Sequence, residues 1–378
     1  MNENLLDILC CPGCKANLSL EKKVIMGSGI DDNSYDISEG ILTCLECNKS
    51  YPVIDGIPRL CNNLWQLELE EEERIKKIAK VIIYEQKANG ITNSETYEKI
   101  EKIVREKWNV QPTASGYIKK KAEKDVCYQT KECEKQEKVI HTLKLYCSDE
   151  IKIILDIGGG SGGLIKCLND YFNPLFPIML DYDLSWIKVA RLRCPKVQIV
   201  RGDAVNLPFK RGSIDCVFSM AMIEHIENYK KVIQEMCEVT KNICFVGWNP
   251  NKYFIYDIGH LDAPITLFPK KIARYVAIAW HRIRRTGRTK TNITRELETV
   301  FYVPTTHVKK VLCKYGDVFN VFVDFSLFSL KSSYSYRMGK SKNFFNKHLS
   351  LTKFILKLLV FFKIEPQCYY ILKKRKNI

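Results

Sequence analysis

Two cysteine pairs carry the plainest chemistry in this chain. Cys11-Pro12-Gly13-Cys14 and Cys44-Leu45-Glu46-Cys47 are CxxC turns separated by 29 residues. Each such turn points two sulfurs at one place, and two turns complete a tetrahedral thiolate set for Zn2+. A set of four protein ligands leaves no open coordination position, so this ion is expected to be structural, not catalytic. A ribbon of about 60 residues has too small a core to fold by apolar burial alone. Metal binding worth about 10–16 kcal/mol makes up that deficit. Cys10 is the spare thiol.

A second cluster begins at Leu155-Asp156-Ile157-Gly158-Gly159-Gly160-Ser161-Gly162-Gly163. The string satisfies GxGxG over Gly158, Gly160 and Gly162, and also GxGxxG ending at Gly163. Glycines after a buried strand let the backbone approach a ligand closely, whether S-adenosylmethionine or a dinucleotide. Three carboxylates break the tie. Asp156 stands where a methionine ammonium could be held by a charge-assisted contact, and a pyrophosphate would be repelled there. Asp181, in "IMLDYDLSW", can accept both ribose hydroxyls; Asp183 is the alternative. Asp203, in Gly202-Asp203-Ala204, can accept the adenine amino group while the backbone of Ala204 reads the ring. Ser219 completes the expected cofactor set. The candidates for a general base are Glu224, His225, His260 and Asp262.

These residues need elements to hold them. Ile151 to Ile157 reads as a short buried parallel strand. Strand-like and helix-like segments then alternate: Pro177–Leu180, Leu184–Arg193, Val197–Arg201, Ile214–Ser219, Tyr229–Thr240 and Ile243–Val246. That alternation predicts a parallel sheet covered by helices. Val308–Tyr315 and Val318–Phe325 read as a further helix and strand, and Cys368–Lys373 as a last strand. Residues 62–150 read as charged helices. The expected organisation is a ribbon over 1–61, a helical linker or cap over 62–150, a cofactor-binding core over 151–250, and a basic substrate-side region over 251–378.

The stretches "LLDILCCPGCKANL" and "LTCLECNKSYPVIDGIPRL" resemble the zinc-ribbon subunits that activate tRNA and translation-factor methyltransferases. The Tyr51-Pro52-Val53-Ile54-Asp55-Gly56-Ile57-Pro58 segment is the most specific part. In that family the ribbon packs on a methyltransferase. The three blocks around Asp156, Asp181 and "GDAVNLPF" together resemble the class I S-adenosylmethionine-dependent methyltransferases over about residues 150–250. That resemblance implies a Rossmann-like α/β fold with a mostly parallel sheet of seven strands, to which the ribbon and helices are additions. It also implies that the loop carrying Glu224 and His225 lies near the point of methyl transfer. Two features depart from the family. Gly159 stands where it often has Cys, and both are small. "EVTKNICFVGW" lacks the usual Pro-Gly-Gly turn. Large-subunit rRNA methyltransferases also join a ribbon to this fold, but their ribbon usually ends in a His-containing knuckle, whereas this one ends in Cys47.

Charge points to the partner. The 378 residues carry a net +16, yet residues 251–378 hold 25 Lys and Arg against 7 Asp and Glu, so the remainder is slightly acidic. Such asymmetry predicts an anionic partner for the C-terminal third. The expected partner is an anionic small-molecule, lipid- or glycan-linked substrate, with RNA as the alternative. A non-catalytic, cofactor-binding activator is a further alternative. Pro269 to Arg288 reads as a basic amphipathic helix. With 349–376 it is expected to touch an anionic membrane peripherally. No uncharged apolar run of 18 residues is present, so a spanning helix is not expected. Met1 to Leu9 carries Glu3 and Asp7, opposite to a secretory signal. The 16 cysteines, many in apolar stretches, suit a reducing compartment. Together these predict a cytoplasmic protein, with contact at the inner membrane surface.

Overall fold

The computed structural model describes residues 1–26, 36–61, 140, 146, 151–160, 162–257, 260–261, 263–285, 287–320, 358, 362 and 367–375. Apart from residues 140 and 146, the helices expected over 62–150 lie outside the described residues, as do nearly all of 349–364 and Asp262. The chain divides into two compact units, Met1–Lys210 with Lys331–Arg337, and Arg211–Leu330 with Met338–Ile378.

The first unit opens with four strands, β1 (Leu18–Met26), β2 (Asp36–Cys44), β3 (Ser50–Ile54) and β4 (Ile57–Leu60). They pair antiparallel in sequence order. β3 and β4 are joined by Asp55-Gly56, with φ of 53° and 69°. Positive φ at both central residues is what a two-residue hairpin with native twist demands, and Asp-Gly meets it with little strain. β4 then leaves the ribbon's antiparallel pattern. It pairs in parallel with β7 (Gln198–Gly202), Arg59 opposite Arg201 and Leu60 opposite Gly202.

Beyond β7 the order is β6 (Phe176–Asp181) and then β5 (Ile153–Ile157), all parallel. Helices α1 (Gly163–Phe172) and α2 (Leu184–Arg193) connect them. Residues 154–157 of β5 and 177–181 of β6 are buried, as their near-continuous apolar sequence requires. The ribbon also grips the loop after β7. Leu9 bridges Phe209, the Cys10 amide donates to Pro208 O (3.0 Å), and Lys15 Nζ donates to Leu207 O (2.8 Å).

The second unit holds β8 (Ile214–Met220), α3 (Tyr229–Val239), β9 (Thr240–Pro250), β10 (Gly316–Asn320) and β11 (Gln367–Lys374). β8 and β9 are parallel, β11 is antiparallel to β9, and β10 is antiparallel to β11. With β5, β6 and β7, seven strands are therefore described outside the ribbon. Three helices, α4 (Lys270–Ile283), α5 (Lys290–Thr299) and α6 (Thr305–Leu312), complete this unit.

The elements expected from sequence alternation form within a few residues of their expected ends. The strand expected from Val318 starts earlier, at Gly316. The helix expected over Pro269–Arg288 stops at Ile283, and α5 follows it unforeseen. α5 buries only Ile293 and Leu297, so its apolar period is too thin to read in a polar sequence. It is started by Thr289, whose Oγ1 accepts from the Asn292 amide at 3.2 Å. Ile293 and Leu297 pack with Leu261, Ala263, Ile265, Ala273 and Ala277 in a small core of their own. Among the described residues no helix is long and apolar enough to cross a membrane.

Candidate functional site

The four CxxC sulfurs meet. Those of Cys11, Cys14, Cys44 and Cys47 all lie within 4.8 Å of one another. Cys11 and Cys47 are 3.7 Å apart, and Cys14 and Cys44 3.4 Å. Bonds of about 2.3 Å in a tetrahedron place sulfurs about 3.8 Å apart, so the set fits Zn2+. Both turns are built alike. Lys15 and Asn48, each following the second cysteine, take positive φ (63° and 56°) and return their amides to Cys11 O and Cys44 O. Burial raises the Cys11 thiol, but hydrogen bonds from Tyr51 and from the Cys14 and Gly13 amides outweigh it and bring it to about 6. Tyr51 Oη lies 3.3 Å from that sulfur. Cys14 moves the other way, to about 12: backbone bonding to Ala16 pulls it down, but the neighbouring sulfurs and burial prevail. Four adjacent thiolates need a cation to coexist, which is the condition a bound Zn2+ supplies. Cys10 is not in the group.

The glycine loop follows β5 as the sequence implies. Gly158, Gly160 and Gly162 all have positive φ (70°, 53° and 80°). A Cβ at Gly160 would meet nothing within 4 Å, so the backbone there borders open space. Gly159 is different. A Cβ there would run into the Met179 side chain and come within 3.0 Å of Asp156 Oδ2. Met179 from β6 already fills the volume that a side chain at Gly159 would need.

Asp156 is buried at the end of β5, and its Oδ2 has no hydrogen-bond partner among the described residues. Burial, then the neighbouring Asp181 carboxylate, push its acid up to about 7, against a smaller pull from the Ile165 amide. Asp181 ends β6. Its Oδ2 accepts from the Gly160 amide and its Oδ1 from the Asp183 amide, both at 2.9 Å. Burial raises Asp181 too, in spite of those amides. Asp203 follows β7, and its Oδ1 accepts from the Val205 amide at 2.9 Å, which orients the carboxylate beside the buried Ala204. The structure thus gathers Asp156, Asp181 and the glycine loop. A buried carboxylate with one oxygen lacking a partner, beside open backbone, fits a ligand that brings an ammonium, as S-adenosylmethionine does.

The second unit holds Ser219 and a separate polar cluster. Ser219 sits near the end of β8, buried, with Oγ unpartnered among the described residues. Ala221 turns the chain with φ 55°, and a single 3-10 turn, Ile223–His225, then presents Glu224 and His225. Glu224 is fully buried and neither carboxylate oxygen has a hydrogen-bond partner among the described residues. Burial pushes its acid up to about 7, although His260 opposes the shift. His260 Nε2 lies 4.0 Å from Glu224 Oε1, and His260 Nδ1 lies 3.4 Å from Asp257 Oδ1. Burial lowers the His260 imidazole, but Asp257, Glu224 and Glu296 raise it further, so it ends above its ordinary value. His225 packs edge-on against His260 with ring centres 5.3 Å apart, and its Nδ1 lies 3.0 Å from Thr299 O.

Three members of this cluster escaped the sequence reading. Asp257 is buried, its Oδ2 accepting from the Leu261 amide at 2.7 Å. Its signal was present, an acid three residues before His260. The sequence reads Arg288 as the end of a basic helix, but that helix stops at Ile283. Arg288 instead pairs with Glu296 (2.5 Å) and donates to His260 O (2.6 Å), fixing the loop internally. Only folding brings residues 288 and 296 to that loop, so no local pattern marks them.

The family described as "Methyltransferase domain" matches residues 155–244, and the Trm112p-like protein family matches residues 2–56. The chain carries a class I methyltransferase domain behind a Trm112p-like zinc ribbon. The chain is 33% identical over 88 residues to a demethylmenaquinone methyltransferase of Renibacterium salmoninarum, covering 23% of this chain and 36% of the relative. It is 30% identical over 107 residues to a phthiotriol/phenolphthiotriol dimycocerosates methyltransferase of Mycobacterium tuberculosis, covering 28% and 37%. The match thus spans little more than a third of these relatives. A solved complex of the Haloferax volcanii Trm112 methyltransferase activator with a methyltransferase is 24% identical, with TM-score 0.26, covering 29% of this chain and 50% of that one. At that score the likeness bears on neither fold nor function.

The ribbon that precedes the methyltransferase domain yields a test. Chelation under reducing conditions, or Cys44→Ser, is expected to remove one equivalent of zinc and unfold β1–β4. Because β4 is hydrogen-bonded to β7, amide exchange in β7 is expected to accelerate as well. Exchange confined to residues before Ile57 would contradict that coupling.

Proposed function

We propose that this chain transfers a methyl group from S-adenosylmethionine to a small-molecule, lipid- or glycan-linked anionic acceptor. The observation that carries the reading is Asp156, a buried carboxylate with a partnerless oxygen beside the open backbone of Gly160. When bound, S-adenosylmethionine supplies a methyl group made electrophilic by its sulfonium. The chain's own part is orientation. Asp156 Oδ2 takes the ammonium, the remaining lone pairs of Asp181 take the ribose hydroxyls, and Asp203 with the Ala204 backbone reads the adenine. Alignment of this kind contributes about 7–11 kcal/mol to lowering a barrier. Ser219 belongs to the same assigned set. Glu224, His225 and His260 are assigned to acceptor chemistry, following the resemblance that puts the segment after β8 on the acceptor side.

The acceptor class rests on charge and on α4. That helix buries Ala273, Ala277 and His281 and leaves Ile272, Tyr275 and Ile283 exposed among Lys271, Arg282, Arg284 and Arg285. Apolar side chains interleaved with cations suit an anionic lipid-like acceptor or the surface that carries one. Two relatives named for acceptors of lipophilic character, demethylmenaquinone and phthiotriol dimycocerosates, support the same class.

Three measurements test this reading. With radiolabelled cofactor and fractionated cell extract, label is expected in lipid or small-molecule fractions. Label in RNA would replace the acceptor class, and bound cofactor without any transfer would favour a non-catalytic role.

Cofactor affinity, by calorimetry, is expected to rise as pH increases through about 7, because the ammonium needs Asp156 ionised and burial holds that acid at about 7. Asp156→Asn should bind at least about tenfold more weakly, equivalent to about 1.4 kcal/mol, and lose the pH dependence.

Gly159→Ala should also weaken binding, since its methyl displaces the Met179 side chain and crowds Asp156 Oδ2. Pairing it with Met179→Ala should recover part of the loss.

A further inference from the structure

We propose that Glu224, His225 and His260 form a second metal site, for a divalent first-row transition ion, separate in composition and purpose from the four-cysteine site. One ligand atom from each of the three lies within 4.8 Å of the others. Bonds of about 2.0–2.2 Å hold ligand atoms at most about 4.4 Å apart, so side-chain shifts of a few tenths of an ångström close the three on one ion.

The second, independent observation is Glu224 itself. It is fully buried, and neither of its oxygens has a hydrogen-bond partner among the described residues. A carboxylate removed from water without a partner is costly, and a coordinated cation removes that cost. His260 Nε2, at 4.0 Å from Glu224 Oε1, is too far for a hydrogen bond. Two metal–ligand bonds span a gap of that size.

Both imidazoles are oriented for ligation. His225 Nδ1 is 3.0 Å from Thr299 O, which can only accept, so the proton sits on Nδ1 and the lone pair on Nε2. His260 Nδ1 lies 3.4 Å from Asp257 Oδ1, an ion-pair contact that favours the proton on Nδ1 and leaves the Nε2 lone pair toward Glu224. A carboxylate behind a ligating histidine fixes its tautomer and strengthens it as a ligand. Asp257 is anchored in turn by the Leu261 amide, and Arg288 holds His260 O. Charge closes as well. Glu224 and Asp257 together bring −2 against a divalent ion, while Glu296 is already paired with Arg288.

The ligand set selects the ion. Two imidazoles and a carboxylate suit Zn2+, Fe2+, Co2+ or Mn2+, and the absence of sulfur argues against Cu+. The ribbon closes its ion with four ligands. Here three protein ligands leave positions open, and exposed His225 marks the side from which ion and ligand enter. Such an ion can bind an oxygen or nitrogen of an incoming molecule and lower its pKa.

The test uses the full chain. Protein with its ribbon saturated with Zn2+ is incubated separately with Zn2+, Co2+, Mn2+ and, anaerobically, Fe2+. It is then gel-filtered and its metal content measured. Two equivalents per chain are expected with at least one ion, and Co2+ in the second site should give d–d bands without thiolate charge transfer. His225→Ala and Glu224→Gln should each retain one equivalent, the cysteine-bound one. Asp257→Asn should weaken the second site by about 10–100-fold. His225 is exposed, so its Ala variant is expected to melt with the parent when neither carries a second ion, which separates lost ligation from lost folding. One equivalent in the parent with all four ions, or an unchanged second equivalent in both His225→Ala and Glu224→Gln, would overturn the proposal.

Discussion

Four sulfurs held within 4.8 Å of one another are the constraint from which the first unit's order follows. A ribbon of this size has only a small apolar core. The two CxxC turns must therefore be tied together before β1 to β4 can keep their register. Once they are, β4 is delivered in the right place to pair with β7. An exposed parallel edge strand is a hazard that proteins cover or blunt, and here the ribbon covers it. The same docking holds Leu207, Pro208 and Phe209 through Lys15, Cys10 and Leu9. The loop that follows Asp203 is thus braced by a domain whose own fold rests on thiolates.

Each unit also buries an acid that the protein does not satisfy. Asp156 lies beside the glycine loop, and Glu224 lies in the turn after β8. Burial raises both to about 7. Neither arrangement favours stability, since an unpaired buried carboxylate costs free energy in either protonation state. Such sites persist where a ligand completes them, and perturbed acids cluster where function does. The surroundings separate the two. Asp156 has glycine backbone and a second acid near it, a setting for an organic cation. Glu224 has two oriented imidazoles, a setting for a metal ion.

Much of this was legible in the chain. The ribbon could be read because four cysteines at fixed spacing have few alternatives, and Asp55-Gly56 marks a two-residue hairpin by its backbone needs alone. The strands of the methyltransferase domain could be read because fully buried strands show as short apolar runs ending in turns. α5 could not, since two apolar residues in ten do not make a period. Arg288 was misjudged for a related reason. Its charge is plain in the sequence, but its partners, Glu296 and the His260 carbonyl, come from elsewhere in the fold. The crowding at Gly159 could not be read either, because its neighbour, Met179, lies on the adjacent strand.

The sequence by itself determined which chemical groups exist and how they are spaced along the chain. These are the thiolate pairs, the glycine turn after an apolar strand, the acids at strand ends and the uneven charge. Those follow from local backbone rules and from short-range periodicity. Only tertiary structure decided which groups are deprived of water and partners. It left Asp156 and Glu224 unsatisfied, turned Asp257 and Arg288 into supports for His260, and joined the ribbon's last strand to β7. Desolvation and nonlocal pairing depend on what other segments bring to a place, and no stretch of sequence carries that information on its own.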